Sequence, residues 1–341
     1  MVVSKENKTD VDFDMDLTHS FADYLKDLYS TRKRKMAFKG NSKRDHETWK
    51  IKARSRLLEL LGGRCESIPD PSLKRKIIEE KEDITIEKLI YQTRPGLWAP
   101  AYLVSPKNRP GRLPAILCPP GHGDGMNQVL FETGDYKRYP IELAKHGFVT
   151  LVPENIGFGE RVGKTDDATH QFYYLAANLL GESMMGFLVW DLQRALDILE
   201  KLPNVDPSNI GCYGLSLGGE LTLLTTAIDE RIKCACISGF FTSYASTFLN
   251  VCHCGCGYVH GMAAEFEHVD IASLIVPRPL LLESGVKDTG FPTYATRISV
   301  ATLSEEYALY NATERLELDA FDGKHEISGQ RAYKWFKRWL S

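Results

Sequence analysis

The chain has 341 residues, 43% of them hydrophobic and 26% charged, with a formal net charge of −3. This length suffices for one large α/β domain with a sizeable core. A balance so near neutral gives no footprint for nucleic acid, and no window holds the ~18 apolar residues that a membrane span requires. The stretch Met1 to Asp10 has no apolar core followed by small residues, so no secretory leader is expected. Of the eight cysteines, Cys118, Cys212, Cys234 and Cys236 lie in apolar runs where a thiol behaves as a small hydrophobe. Reduced cysteines without an export signal point to the cytoplasm.

Residues 1 to 80 are polar and helical in pattern. Trp49, Ala53, Leu57, Leu60 and Leu61 recur at helical spacing and Gly62-Gly63 stops the run. The region reads as a helical extension packed on the main domain. The basic run Arg32-Lys33-Arg34-Lys35 reads as a solvated helix face. Whether the N-terminal helices pair with a second copy stays open.

From residue 81 to 341, strands alternate with helices. Ile84 to Gln92 and Leu97 to Val104 flank Arg94-Pro95-Gly96 as a hairpin. The strand Pro114 to Cys118 precedes a helix from Tyr136 to His146, and Phe148 to Val152 precedes a long helix from Met184 to Leu202. Ile210 to Tyr213 runs straight into a helix from Ser216 to Ile228. Lys233 to Ser238, Leu280 to Glu283 and Leu316 to Leu318 supply further strands, with helices near Tyr294 to Leu309 and Gln330 to Leu340. This rhythm predicts an α/β fold, a mostly parallel sheet with helices on both faces. Ligands in such sheets bind beyond the carboxyl ends of the strands. Two long stretches, 155–182 and 240–270, break the rhythm and are expected to shape a pocket.

The strongest chemical signal is Gly214-Leu215-Ser216-Leu217-Gly218, followed by Gly219, between a predicted strand and a predicted helix. Glycines there permit a sharp turn that presents Ser216 Oγ at its tip, beside the unpaired N–H groups of a helix N-terminus. Serine needs a base and an orienting acid to act as a nucleophile. In the expected chain order Ser, Asp/Glu, His, the acid is Asp288, just past a strand end, with Glu283 inside the strand as its rival. The base is His325, the only histidine after Asp288. A developing oxyanion calls for two N–H donors. Leu217 supplies one, and His122, with Gly123 as the near alternative, supplies the other from Pro119-Pro120-Gly121-His122-Gly123-Asp124-Gly125.

Several further stretches carry a resemblance. Glu154 to Arg161, Trp190 to Asp197, the turn at Ser216, Ala227 to Arg231, Asp270 to Pro279 and Gly285 to Asp288 are together similar to the dienelactone-hydrolase and acetyl-xylan-esterase-like branch of the α/β-hydrolases. The resemblance covers most of the chain from about Leu97 onward. It implies an α/β-hydrolase fold and a cofactor-free serine carboxylic-ester hydrolase acting on small esters or acylated sugars. Glucuronoyl esterases of a neighbouring family place arginine directly after the nucleophile, where this chain has Leu217. Many relatives open the oxyanion loop with His-Gly, where this chain has Pro120-Gly121.

Candidates for substrate contact are Glu160, Arg161, Phe240, Phe241, Cys254 and Tyr258. For Glu160 and Arg161 an ion pair bracing the insertion is the favoured reading. The cluster Cys252-His253-Cys254-Gly255-Cys256, with His260 beyond, invites a metal. Its C-x-C-x-C spacing is too tight for a standard zinc knuckle and no second cysteine pair exists, so no metal is expected. A related serine peptidase and a non-catalytic ligand receptor are the competing readings. The first normally carries a β-propeller, for which residues 1 to 80 are too few, and a complete Ser, Asp, His set argues against the second.

Overall fold

The computed structural model describes residues 20–63, 70–163 and 169–341. The leader expectation at Met1 to Asp10 and parts of both the extension and the 155–182 stretch therefore lie outside the described residues. In chain order the elements are α1 (Phe21–Thr31), α2 (Lys43–Leu60), β1 (Lys74–Glu80), β2 (Ile84–Arg94), β3 (Leu97–Pro106), β4 (Leu113–Leu117), α3 (Met126–Phe131), α4 (Tyr139–Lys145) and β5 (Val149–Pro153). Next come α5 (His170–Leu179), α6 (Met184–Lys201), β6 (Val205–Leu215), α7 (Leu217–Ile228), β7 (Ile232–Ser238), α8 (Met262–Glu265) and α9 (His268–Ser273). The chain closes with β8 (Leu280–Gly285), α10 (Thr293–Ala308), β9 (Leu316–Phe321) and α11 (Ala332–Leu340).

All nine strands form one sheet in the order β1-β2-β3-β5-β4-β6-β7-β8-β9. The pairs among β1, β2, β3 and β5 are antiparallel, and every pair from β5 through β4 to β9 is parallel. Successive side chains of a strand face opposite ways, and the core divides accordingly. Ala115 and Leu117 of β4, with Leu280 and Leu282 of β8, face a layer built on α6 and α7, whereas Ile116 and Leu281 face α4 and α11. The described helices include none long and apolar enough to cross a membrane.

Most predicted elements lie within a few residues of their expected bounds. The exceptions have physical causes. Lys74–Glu80, expected in the helical extension, is an edge strand antiparallel to β2. Its charges do not alternate because most of it faces water, and Arg75 grips Glu87 across the ladder through two bonds of 2.7 and 2.6 Å. Charged edges of this kind deter pairing with other chains. The basic run lies past the end of α1 rather than on a helix face. Its Arg34 and Lys35 pair with Asp270 and Glu265 of the 240–270 stretch, at 2.5 and 2.9 Å.

The extension docks through α2. His46 is fully buried between Tyr310 Oη and Ser273 Oγ, 2.8 Å from each. Lys50 Nζ donates to the Val276 carbonyl and Arg54 Nε to that of Ala227, each at 3.0 Å. Ala53 and Leu57 lie in the same core as α6 and α7. Leu57→Ala is expected to cost about 2–5 kcal/mol within a single cooperative transition, read by urea denaturation. An independently melting extension would show two.

Inside the sheet, Glu283 of β8 ties three segments together. It accepts from Tyr213 Oη at 2.7 Å and from the backbone N–H groups of Ser328 and Gly329 at 3.2 and 3.1 Å. Burial raises its pKa from 4.5 to about 7, against the pull of these donors. Below pH 4.5 folded and unfolded chains both hold this proton; between 4.5 and 7 only the folded chain does. This group therefore lowers stability as pH climbs through that window. Glu283→Gln is expected to flatten that slope in urea midpoints measured at about pH 5 and about pH 7.5. The slope is the readout, because the amide also loses an acceptor and lowers stability at every pH.

Candidate active site

The turn between β6 and α7 has Ser216 at φ 62°, ψ −124°. This conformation is sparsely populated for a residue with a side chain and costs on the order of 1–3 kcal/mol. The surrounding glycines make it attainable. A Cβ on Gly214 would lie 2.3 Å from the Gly218 carbonyl oxygen, and one on Gly218 would lie 2.2 Å from that of Pro119. The Ser216 N–H donates to the Ser238 carbonyl at the end of β7, 3.1 Å away. The hydroxyl thus stands half-buried at the carboxyl edge of the parallel strands, at the N-terminus of α7.

Asp288 and His325 meet at that same edge. Asp288 follows β8, and its Oδ1 accepts from the N–H groups of Gly290 and Phe291 at 2.9 and 3.1 Å. Its Oδ2 lies 2.6 Å from His325 Nδ1, in the loop after β9. That contact leaves Nε2 as the free ring nitrogen. Phe291 stacks on the imidazole with ring centroids 5.4 Å apart and planes inclined 17°. The imidazole edge also abuts Gly239, where a Cβ would lie 3.2 Å from Nδ1. Among the described residues no hydrogen bond joins Ser216 Oγ to the ring, and catalytic contacts of this kind tighten when substrate binds. Of the two acids considered, Glu283 is spent on Tyr213 and the 328–329 backbone, and Asp288 holds the imidazole.

The loop after β4 presses against the serine. A Cβ on Gly121 would lie 2.7 Å from the Leu215 carbonyl oxygen and 3.3 Å from Ser216 Cβ, so the next N–H, that of His122, belongs to the same corner as Leu217. Residues after β5 support this loop. Asn155 Nδ2 donates to the Pro120 carbonyl at 2.8 Å, and Glu154 Oε1 accepts from the Met126 N–H at 3.0 Å.

A small cleft of about 40 Å³ opens over the serine. Its walls include His122, Leu217, Glu220, Phe240, Phe248, His253, Cys254 and Phe291. Of the predicted substrate contacts, Phe240 and Cys254 line it. Phe241 is buried behind it, and Tyr258 lies to one side, bonded to the Phe248 carbonyl at 3.1 Å. Glu160 and Arg161 are not among its walls. Glu160 pairs with Lys88 at the surface, and Arg161 is locked to Asp191 at 2.5 Å with both side chains buried. A wider groove between the end of α2 and α5 is lined by Tyr174, Cys256, Tyr258 and His260 and does not include Ser216.

Sequence reasoning missed three wall residues. Glu220 was within reach, since it sits four residues after Ser216 and therefore on the same face of α7. Burial pushes its carboxyl up to about 8. Phe248 and Phe291 come from loops without periodicity, and no local signal marks them. The metal expectation also needs correction in its premise. A second ligand pair does exist: the fold brings His122 and His170 to Cys254 and Cys256, with one ligand atom of each within 4.8 Å of the others.

Comparisons agree with this architecture. A model of the Abhydrolase family matches residues 18–247. The putative hydrolase YtaP of Bacillus subtilis is 30% identical over 301 residues, spanning 84% of this chain and 98% of its own length. The acetyl esterase Axe7A of Xylanibacter ruminicola is 31% identical over 147 residues, which is 40% of this chain and 31% of the esterase. Among solved structures, a putative acetyl xylan esterase from Bacteroides fragilis superposes with a TM-score of 0.76 at 15% identity, covering 95% of this chain and 90% of the other. The chain belongs to the Abhydrolase family and has the α/β-hydrolase fold.

Proposed function

We propose that the protein is a serine carboxylic-ester hydrolase that works through an acyl-enzyme on Ser216, with small esters or acylated sugars as substrates. The observation that carries this reading is the Asp288–His325 contact of 2.6 Å at the strand edge where Ser216 is held at φ 62°. Membership of a hydrolase family supports it, and so does the likeness of part of the chain to an acetyl esterase.

The chemistry follows from the roles available. Asp288 accepts a hydrogen bond from His325 Nδ1–H and so leaves Nε2 as the base. As Ser216 Oγ attacks the ester carbonyl, its proton passes to Nε2, and Asp288 stabilises the imidazolium. Negative charge gathers on the carbonyl oxygen, where the N–H groups of Leu217 and His122, or Gly123 in place of the latter, are the donors. Collapse breaks the ester C–O bond, the alcohol leaves with the proton from Nε2, and the acyl group stays on Ser216. Water then repeats the sequence and releases the acid. The aromatic walls Phe240, Phe248 and Phe291 favour a short acyl group, and Leu217 argues against glucuronoyl esters. Free thiols at all seven described cysteines suit a reducing, cytoplasmic setting.

Hydrolysis of p-nitrophenyl acetate and butyrate tests the reading. Ser216→Ala is expected to abolish turnover and labelling by a fluorophosphonate; retained turnover refutes the mechanism. Asp288→Asn is expected to lower kcat by roughly 10³–10⁴-fold. Glu283→Gln is expected to stay within about tenfold of the parent, and the reverse ranking would make Glu283 the acid.

A further inference from the structure

His122, His170, Cys254 and Cys256 lie far apart in sequence. His122 belongs to the loop after β4, His170 is the first residue of α5, and in the 240–270 stretch Cys254 precedes the 3-10 turn Gly255–Gly257 while Cys256 is its middle residue. One ligand atom from each falls within 4.8 Å of all the others. Zinc bonds of about 2.3 Å to sulfur and 2.0–2.1 Å to nitrogen put tetrahedral ligand atoms roughly 3.3–3.8 Å apart. Cys256 Sγ and His122 Nε2 are already 3.4 Å apart.

The surroundings look built for a ligand set. His170 Nδ1 lies 2.6 Å from the Ile156 carbonyl oxygen, to which it donates. That bond fixes the tautomer and leaves Nε2 as a lone-pair donor, the usual outer support of a metal-bound histidine. Nε2 itself is buried with no hydrogen-bond partner, an arrangement that costs free energy unless something is bound there. Phe158 walls off the cluster, its ring 4.4 Å from that of His170 and 5.7 Å from that of His122. The turn between the cysteines is packed directly on α5: a Cβ on Gly255 would lie 2.3 Å from the Tyr174 ring.

We propose that these four side chains bind one zinc ion as a closed structural site, clamping the oxyanion loop to the 155–182 and 240–270 stretches. Two sulfurs and two nitrogens in this arrangement select zinc, and four protein ligands leave no open position for catalysis. Binding releases the two thiol protons, and the two thiolates balance the 2+ charge of the ion. The His122 and Cys254 side chains wall the serine cleft, so the ion sits behind that wall and would hold the His122 backbone where the oxyanion needs it.

Metal content decides the matter without reference to hydrolysis. Untagged protein, purified without chelators and analysed by plasma mass spectrometry, is expected to carry one zinc per chain. Ser216→Ala is expected to carry the same. Cys256→Ser and His170→Ala are expected to lose it. Should those variants fail to fold, the parent still reports: chelator-stripped protein is expected to take up one cobalt(II) with a thiolate charge-transfer band and tetrahedral visible absorption, and to recover its higher melting temperature with zinc. Substoichiometric metal in the parent together with no thiolate band on cobalt addition would overturn the site.

Discussion

The backbone at Ser216 has a side chain where glycine would be at ease, and the sheet around it is arranged to make that conformation tenable. Strand β6 ends in the turn, α7 begins one residue later, and the first turn of that helix lies against the carbonyls of Pro119 and Ser238. Space for this exists only because positions 214, 218 and 219 lack a Cβ: one on Gly219 would lie 2.6 Å from the Ser238 carbonyl oxygen. A strained residue persists when its surroundings over-determine it. Here β4 and β7 do so from either side, and the same two strands deliver the Pro119–Gly125 loop and the Gly239 floor beneath His325.

A second layer of polar contacts then fixes the loops that carry no regular structure. Glu154 and Asn155 hold the loop after β4 through Met126 and Pro120, and the buried Arg161–Asp191 pair anchors the stretch that follows them. Breaking such a pair by removing one partner is far more costly than the pair is stabilising. Glu283 performs the same service for the 328–329 segment next to His325. None of these charged groups lines the cleft over Ser216, and burial with specific partners separates these acids from Asp288.

Of the two long stretches, 240–270 supplies walls of the cleft through Phe240, Phe248, His253 and Cys254, whereas no described residue of 155–182 lines it. The ring series Phe248, His253, Phe291 and His325 runs with centroid spacings of 4.9, 4.9 and 5.4 Å, so the His325 imidazole is packed at the end of an aromatic wall. The extension contributes from the far side, since α2 sits on the core beneath α7 and its flanking cations pair with acids of the 240–270 stretch. The N-terminal segment and the cleft wall thereby belong to one packed body.

Much of this was legible in the chain itself, for a local reason. Strand and helix periodicity, and a glycine-flanked serine between them, are properties of consecutive residues, so the α/β alternation and the positions of Ser216, Asp288 and His325 at strand ends could be read directly. Glu220 was implicit in helix geometry. The strand at Lys74–Glu80 was not legible, because a solvent-facing edge has no hydrophobic alternation to reveal it. Three-dimensional packing alone decided that the partner of Arg161 is Asp191 and which rings line the cleft. It alone also joined His122 and His170 to two cysteines more than eighty residues away. Contacts of that separation arise when loops converge at one sheet edge, and no periodicity along the chain records where loops converge.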